Sequence, residues 1–173
     1  MSSELGPTWR SQFSSFNSIP IASASIGQVH AGVLASNGMP VAVKVQFPGV
    51  KESIDSDLDN LSLLLVASAL LPKGLFLENT IKATKVELAD ECDYIREAEC
   101  AKRFQKELEG DDRFEVMKVV EELCTSKVLT MQHMKGEPVV QAERWSQDVR
   151  NRVCMIERTG SVILILESRS ERV

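Results

Sequence analysis

Cysteine and histidine are both scarce, with four of the first and two of the second in 173 residues. Cys92, Cys100, Cys124 and Cys154 form no Cys-x-x-Cys pair and follow no secretory signal. Neither a disulfide framework nor a zinc site is expected, and the thiols are read as reduced and mostly packed. His30 falls in strand-like sequence, and His133 has no carboxylate or second histidine beside it, so no metal-ligating residue is assigned. No apolar run reaches the roughly 18 residues of a membrane-spanning helix. Positive charge is short as well: the net charge is −5 with acids spread along the chain, which argues against a nucleic-acid binder. The first residues are not arginine-rich enough for a transit peptide.

What is present is apolar side chain, 43% of the total, enough for one globular domain with a real core. Its organising stretch runs from residue 21 to 46. Ala22, Ala24, Gly27 and Val29 stand at the spacing of the kinase phosphate loop, Gly-x-Gly-x-x-Gly-x-Val, with alanine in the first two glycine places. Small residues let backbone N–H groups approach phosphate oxygens, but alanine excludes the left-handed angles glycine allows. Val-Ala-Val-Lys at 41–44 then matches the strand that carries a phosphate-pairing lysine. Strand alternation puts Lys44 on one face with Ala42 and Gln46, while Val41, Val43 and Val45 face a core. A tight hairpin of small residues with a solvated lysine is the alternative.

The wording here, Ala-Ser-Ala-Ser-Ile-Gly-Gln-Val-His at 22–30, Val-Ala-Val-Lys-Val-Gln-Phe-Pro-Gly-Val at 41–50 and Glu-Cys-Asp-Tyr-Ile-Arg-Glu-Ala at 91–98, resembles the UbiB-type atypical kinases. That family comprises protein-kinase-like ATPases supporting coenzyme Q (ubiquinone) biosynthesis, mitochondrial in eukaryotes. The resemblance runs from about residue 5 to 154 and is most specific between 19 and 101. It implies ATP or ADP bound by Ala22, Ser23, Ala24, Ser25, Gly27, Val29, Ala42 and Lys44, with Met131 and His133 at the adenine hinge. It also implies Glu97 as the helix partner of Lys44, and Glu91 and Asp93 as a Glu-x-Asp motif that engages an amino-terminal extension. The extension's Lys-x-Gly-Gln motif is missing. Mitochondrial location, contact with coenzyme Q biosynthesis proteins and peripheral membrane contact follow from the same resemblance.

Along the chain, Trp9, Phe13 and Phe16 recur at i, i+4, i+7 and predict a short helix in an extension over residues 1–18. Residues 25–34 and 39–47 read as two strands of a hairpin around Asn37-Gly38. Ile54, Leu58, Leu61 and Leu65 mark one helix face, and residues 61–71, apolar nearly all round, predict a buried second half stopped by Pro72 and Gly74. A helix lying on a membrane is the alternative, without a basic face to support it. Residues 78–108 predict one long helix. On it Glu91 and Glu97 are about 120° apart and cannot share a partner, whereas Asp93 and Glu97 share a face. Gly110 to Asp112 reads as a turn, residues 114–122 and 127–134 as strands, and residues 146–156 as a helix.

The expected fold is α+β: a protein-kinase-like small lobe with an antiparallel sheet and two long helices, the C-terminal lobe missing. The partial kinase-like domain spans 19–156 and a divergent tail 157–173, with a short strand over 162–166. The family's catalytic loop and Asp-Phe-Gly metal motif are absent from the sequence. No catalytic residue is assigned, and Mg²⁺, expected for the family, has no ligands here. The chain is expected to be inactive alone. The alternatives are a non-catalytic scaffold module and an unstable truncated product.

Overall fold

The computed structural model describes residues 1–67, 77–136 and 139–157, with residues 156 and 157 described by backbone alone. The expected stop at Pro72 and Gly74, Pro138 beyond the hinge, and the strand over 162–166 lie outside the described residues. The helix α1 (Ser2–Leu5) and a 3₁₀ turn (Trp9–Gln12) lead into β1 (Phe13–Phe16), followed by β2 (Ala22–Ser23), β3 (Gly27–Leu34) and β4 (Pro40–Gln46). Three helices come next, α2 (Val50–Ala67), α3 (Leu77–Glu91) and α4 (Tyr94–Glu107), then β5 (Val128–Gln132) and α5 (Gln147–Glu157).

The antiparallel sheet runs β1-β3-β4-β5, and β2 pairs with the part of β3 that β1 leaves free. The β3–β4 hairpin turns at Gly38, whose φ of +72° is the left-handed angle that Asn-Gly turns require. Alternation along β4 divides the core. Val41 and Val43, fully buried, pack with Trp9, Phe13, Leu34, Leu123 and Val128 on one face. On the other, Leu129 joins Ile26, Ile54, Leu58, Cys92, Tyr94 and Ala98 beneath the helices.

Five expectations change. Trp9, Phe13 and Phe16 do cluster, with ring centroids 4.8–6.0 Å apart, but on a 3₁₀ turn and a strand rather than a helix. A register shift between Phe13 and Ser15 inserts one extra residue, so two phenylalanines three apart reach the same face. The first eighteen residues therefore contribute an edge strand to the sheet. The predicted long helix is two helices broken at Cys92 and Asp93, for reasons given below. Residues 114–122 form no strand but a single bridge, Val119 to Met131, and a 3₁₀ turn (Glu121–Leu123). Burial of Leu123 and the bond from Thr130 Oγ1 to its carbonyl (2.8 Å) pull the chain off the free edge of β5.

The fourth concerns α2. Ile54 and Leu58 are buried as expected, but Leu61, Leu63, Leu64 and Val66 are 45–68% exposed. Their periodicity is helical; no layer of the described residues covers them. Cys92 is buried and Cys124 half-buried, while Cys100 and Cys154 are exposed rather than packed.

Candidate functional site

Register brings the predicted nucleotide residues together. Ala22 lies opposite Val29, Val29 opposite Lys44, and Lys44 opposite Leu129; two residues along, Ala31 faces Ala42 and Ala42 faces Met131. Directly opposed residues share a sheet face, so Ala22, Val29, Ala42, Lys44 and Met131 line one surface. The turn from Ala24 to Gly27 is closed by the Ala24 N–H on the Gly27 carbonyl (2.9 Å). It is anchored by the buried Ile26 side chain and by the Phe47 N–H donating to the Ile26 carbonyl (2.9 Å). Ser23 is exposed on the two-residue strand. His133 is exposed just past β5, where its backbone N–H donates to the Pro40 carbonyl (2.9 Å).

Lys44 crosses from β4 to α4. Its Nζ donates to both carboxylate oxygens of Glu97, at 2.9 and 3.1 Å, and keeps 21% of its side chain exposed. The ammonium is thus fixed in place and still open to a third group.

The helix break aims Glu97. In a continuous helix the Arg96 N–H would bond to the Cys92 carbonyl four residues back. Instead Asp93 Oδ1 accepts from the Arg96 N–H (3.0 Å), an N-cap that starts α4 afresh. The released Cys92 carbonyl accepts from Gln46 Nε2 (3.1 Å), so the strand face that carries Lys44 also fixes the end of α3. Glu91, at the end of α3, accepts from the Ser25 hydroxyl at 2.9 Å, tying the small-residue loop to the helix. Within these residues the two acids of the Glu-x-Asp motif latch the loop and cap α4.

Two residues of the site take roles that the sequence pattern does not assign. Strand alternation puts Gln46 on the Lys44 face but says nothing of its hold on the end of α3. Tyr94, fully buried at the start of α4, lies with its ring centroid 4.7 Å from Lys44 Nζ. Burial, with Glu97 adding, pushes the Tyr94 phenol above its ordinary range, so it stays neutral. Desolvation likewise raises the thiols of Cys92 and Cys124. An open concavity of about 450 Å³ lies elsewhere, between the end of α4 and the segment around Phe114, and holds none of the predicted site residues.

The surface around Lys44 suits an anion beside a flat apolar ring: one fixed cation, a loop without bulky side chains, and a wall of alanine, valine and methionine. Among the described residues no group of three acidic, histidine or cysteine side chains could hold a metal ion. No helix of the described residues is long and apolar enough to cross a membrane.

A family profile described as the ABC1 atypical kinase-like domain matches residues 1–166. Among curated proteins, the chain is 51% identical over 151 residues to "Atypical kinase COQ8, mitochondrial" of Saccharomyces cerevisiae, covering 87% of this chain and 30% of that protein. It is 52% identical over 151 residues to "Atypical kinase COQ8B, mitochondrial" of Rattus norvegicus, covering 87% and 28%. The chain thus spans about three tenths of the length of these relatives. A solved structure, "The complex structure of Rv3197-erythromycin from Mycobacterium tuberculosis", superposes with a TM-score of 0.68 at 34% identity, over 88% of this chain and 38% of that one.

Proposed function

Since the chain belongs to the ABC1 atypical kinase-like family, we propose that it is the nucleotide-binding small lobe of a mitochondrial atypical kinase acting in coenzyme Q biosynthesis. The observation that carries this reading is the two-pronged Lys44–Glu97 pair, at 2.9 and 3.1 Å, on the face roofed by the loop. In kinases such a pair orients a lysine towards the α/β-phosphates. In this reading Ala22, Ser23, Ala24, Ser25, Gly27 and Val29 shape the phosphate side, Ala42 walls the adenine, and Met131 and His133 flank its edge. The relatives carry mitochondrial names, and this chain shares that location.

Phosphoryl transfer requires charge neutralisation and a positioned nucleophile, and no step of it is assigned to these residues. ATP or ADP binding without turnover is the activity proposed for the chain as it stands. Neither a Mg²⁺ ligand nor an acceptor site is assigned to any of these residues.

Titration of the purified chain with fluorescent ADP tests the reading. Saturable binding that weakens at least tenfold in Lys44→Met is expected, the usual worth of a charged hydrogen bond. Absent or Lys44-independent binding would leave the second reading, a docking module for coenzyme Q biosynthesis proteins. The exposed Leu61, Leu63, Leu64 and Val66 favour that alternative.

A further inference from the structure

Tyr94 is the chain's one tyrosine, yet its hydroxyl does no visible bonding. The oxygen is buried without a hydrogen-bond partner among the described residues. A buried, unpaired O–H is destabilising relative to an apolar group of the same shape. The aromatic ring, by contrast, has a specific neighbour: Lys44 Nζ lies 4.7 Å from its centroid. The negative face of such a ring attracts an ammonium group, more strongly where water is kept out.

We propose that Tyr94 is a positioning residue for Lys44, its ring holding the ammonium at the phosphate side of the sheet. The proposal rests on the reading of Lys44 as the nucleotide lysine. Two of the three ammonium hydrogens are engaged by Glu97. A phosphate that binds Lys44 must take the third or share one of these. The ring attracts the charge and not a particular hydrogen, so it holds Lys44 while the hydrogens are redistributed between Glu97 and phosphate. The position of Tyr94 is itself set by the backbone: it directly follows the capping Asp93, beside the Cys92 carbonyl that Gln46 secures.

The test uses the purified chain with Tyr94→Phe and Tyr94→Leu. NMR follows the Lys44 side-chain methylenes, identified by their loss in Lys44→Met, and fluorescent ADP reports affinity. Ring-current shifts should move the methylenes upfield in the wild type and in Tyr94→Phe, and disappear in Tyr94→Leu. ADP affinity should stay within about twofold in Tyr94→Phe and fall by about tenfold in Tyr94→Leu. The melting temperature of Tyr94→Phe should equal or exceed that of the wild type. Unshifted Lys44 methylenes in the wild type, or equal loss of affinity in both variants, would overturn the proposal. If Tyr94→Leu does not fold, the wild type and Tyr94→Phe decide alone. If the wild type binds no ADP, the nucleotide reading fails, while the methylene shifts still decide whether the ring holds Lys44.

Discussion

Gly27 passes directly beneath the carbonyl of Val45. A Cβ built on Gly27 would collide with the Val45 oxygen and come within 3.0 Å of its carbonyl carbon and 3.2 Å of Gln46 Cα. Glycine is required here by the approach of two backbones where β3 and β4 begin to pair, whatever occupies the loop. The sequence pattern credits the same residue to phosphate binding alone.

Gly27→Ala should therefore destabilise the fold itself, by about 2–3 kcal/mol, the usual cost of forcing atoms into a packed site. Urea unfolding measures it. A loss below about 0.5 kcal/mol would mean that the hairpin shifts freely to make room.

Lys44 and Glu97 should matter to ligand far more than to stability. Glu97 keeps 39% of its side chain exposed, and such pairs contribute at most about 1 kcal/mol to folding. Lys44→Met and Glu97→Gln should each weaken ADP binding, and the double variant should be no weaker than Lys44→Met. Additive losses would show that the two residues act separately.

Ala24 tests the loop. Ala24→Gly restores backbone angles that alanine excludes and should change ADP affinity measurably, while Ala24→Val should obstruct close approach. Indifference to both substitutions would favour a plain structural hairpin.

Asp93→Ala should cost about 1 kcal/mol, the usual price of an N-cap, and should speed amide exchange at Arg96, whose N–H it now holds. Exchange unchanged at Arg96 would mean that the start of α4 is held by other contacts.

Asp111 should titrate near pH 2. Hydrogen bonds from the Arg113 side chain and backbone hold its carboxyl at about 2, below the ordinary 3.8. With the folded value depressed, the interaction is fully present above about pH 4 and is lost as pH falls through 2. Carbon-detected NMR titration should find that midpoint, and Arg113→Ala should return it towards 3.8.

Much of the site was legible because strand alternation is a strict rule: Lys44, Ala42 and Gln46 had to share a face, and the motif wording singled out Glu97. Local signals misled where a distant residue decides. Leu88, Cys92 and Ile95 keep helical spacing across the break, and the Gln46 amide that captures the Cys92 carbonyl comes from another element. Spacing of i, i+4, i+7 made Trp9, Phe13 and Phe16 look helical, because a bulged strand after a 3₁₀ turn collects the same side chains. The leucines of α2 carry a correct period but no record of what covers them. Tyr94 left no pattern at all, since a ring beneath a cation is a contact between elements.

The extra residue between Phe13 and Ser15 has a consequence of parity. Phe16 stacks on His30 with ring centroids 5.4 Å apart, and the His30 ring nitrogen Nδ1 meets the Asn17 carbonyl at 3.0 Å. Removing the extra residue would restore strict alternation and leave Phe13 and Phe16 two apart, still on the side of the sheet that Trp9 packs against. Removing two would make them neighbours in a regular strand and send one of the pair to the opposite side. This edge therefore has one residue to spare, and it is the second deletion that breaks the aromatic cluster.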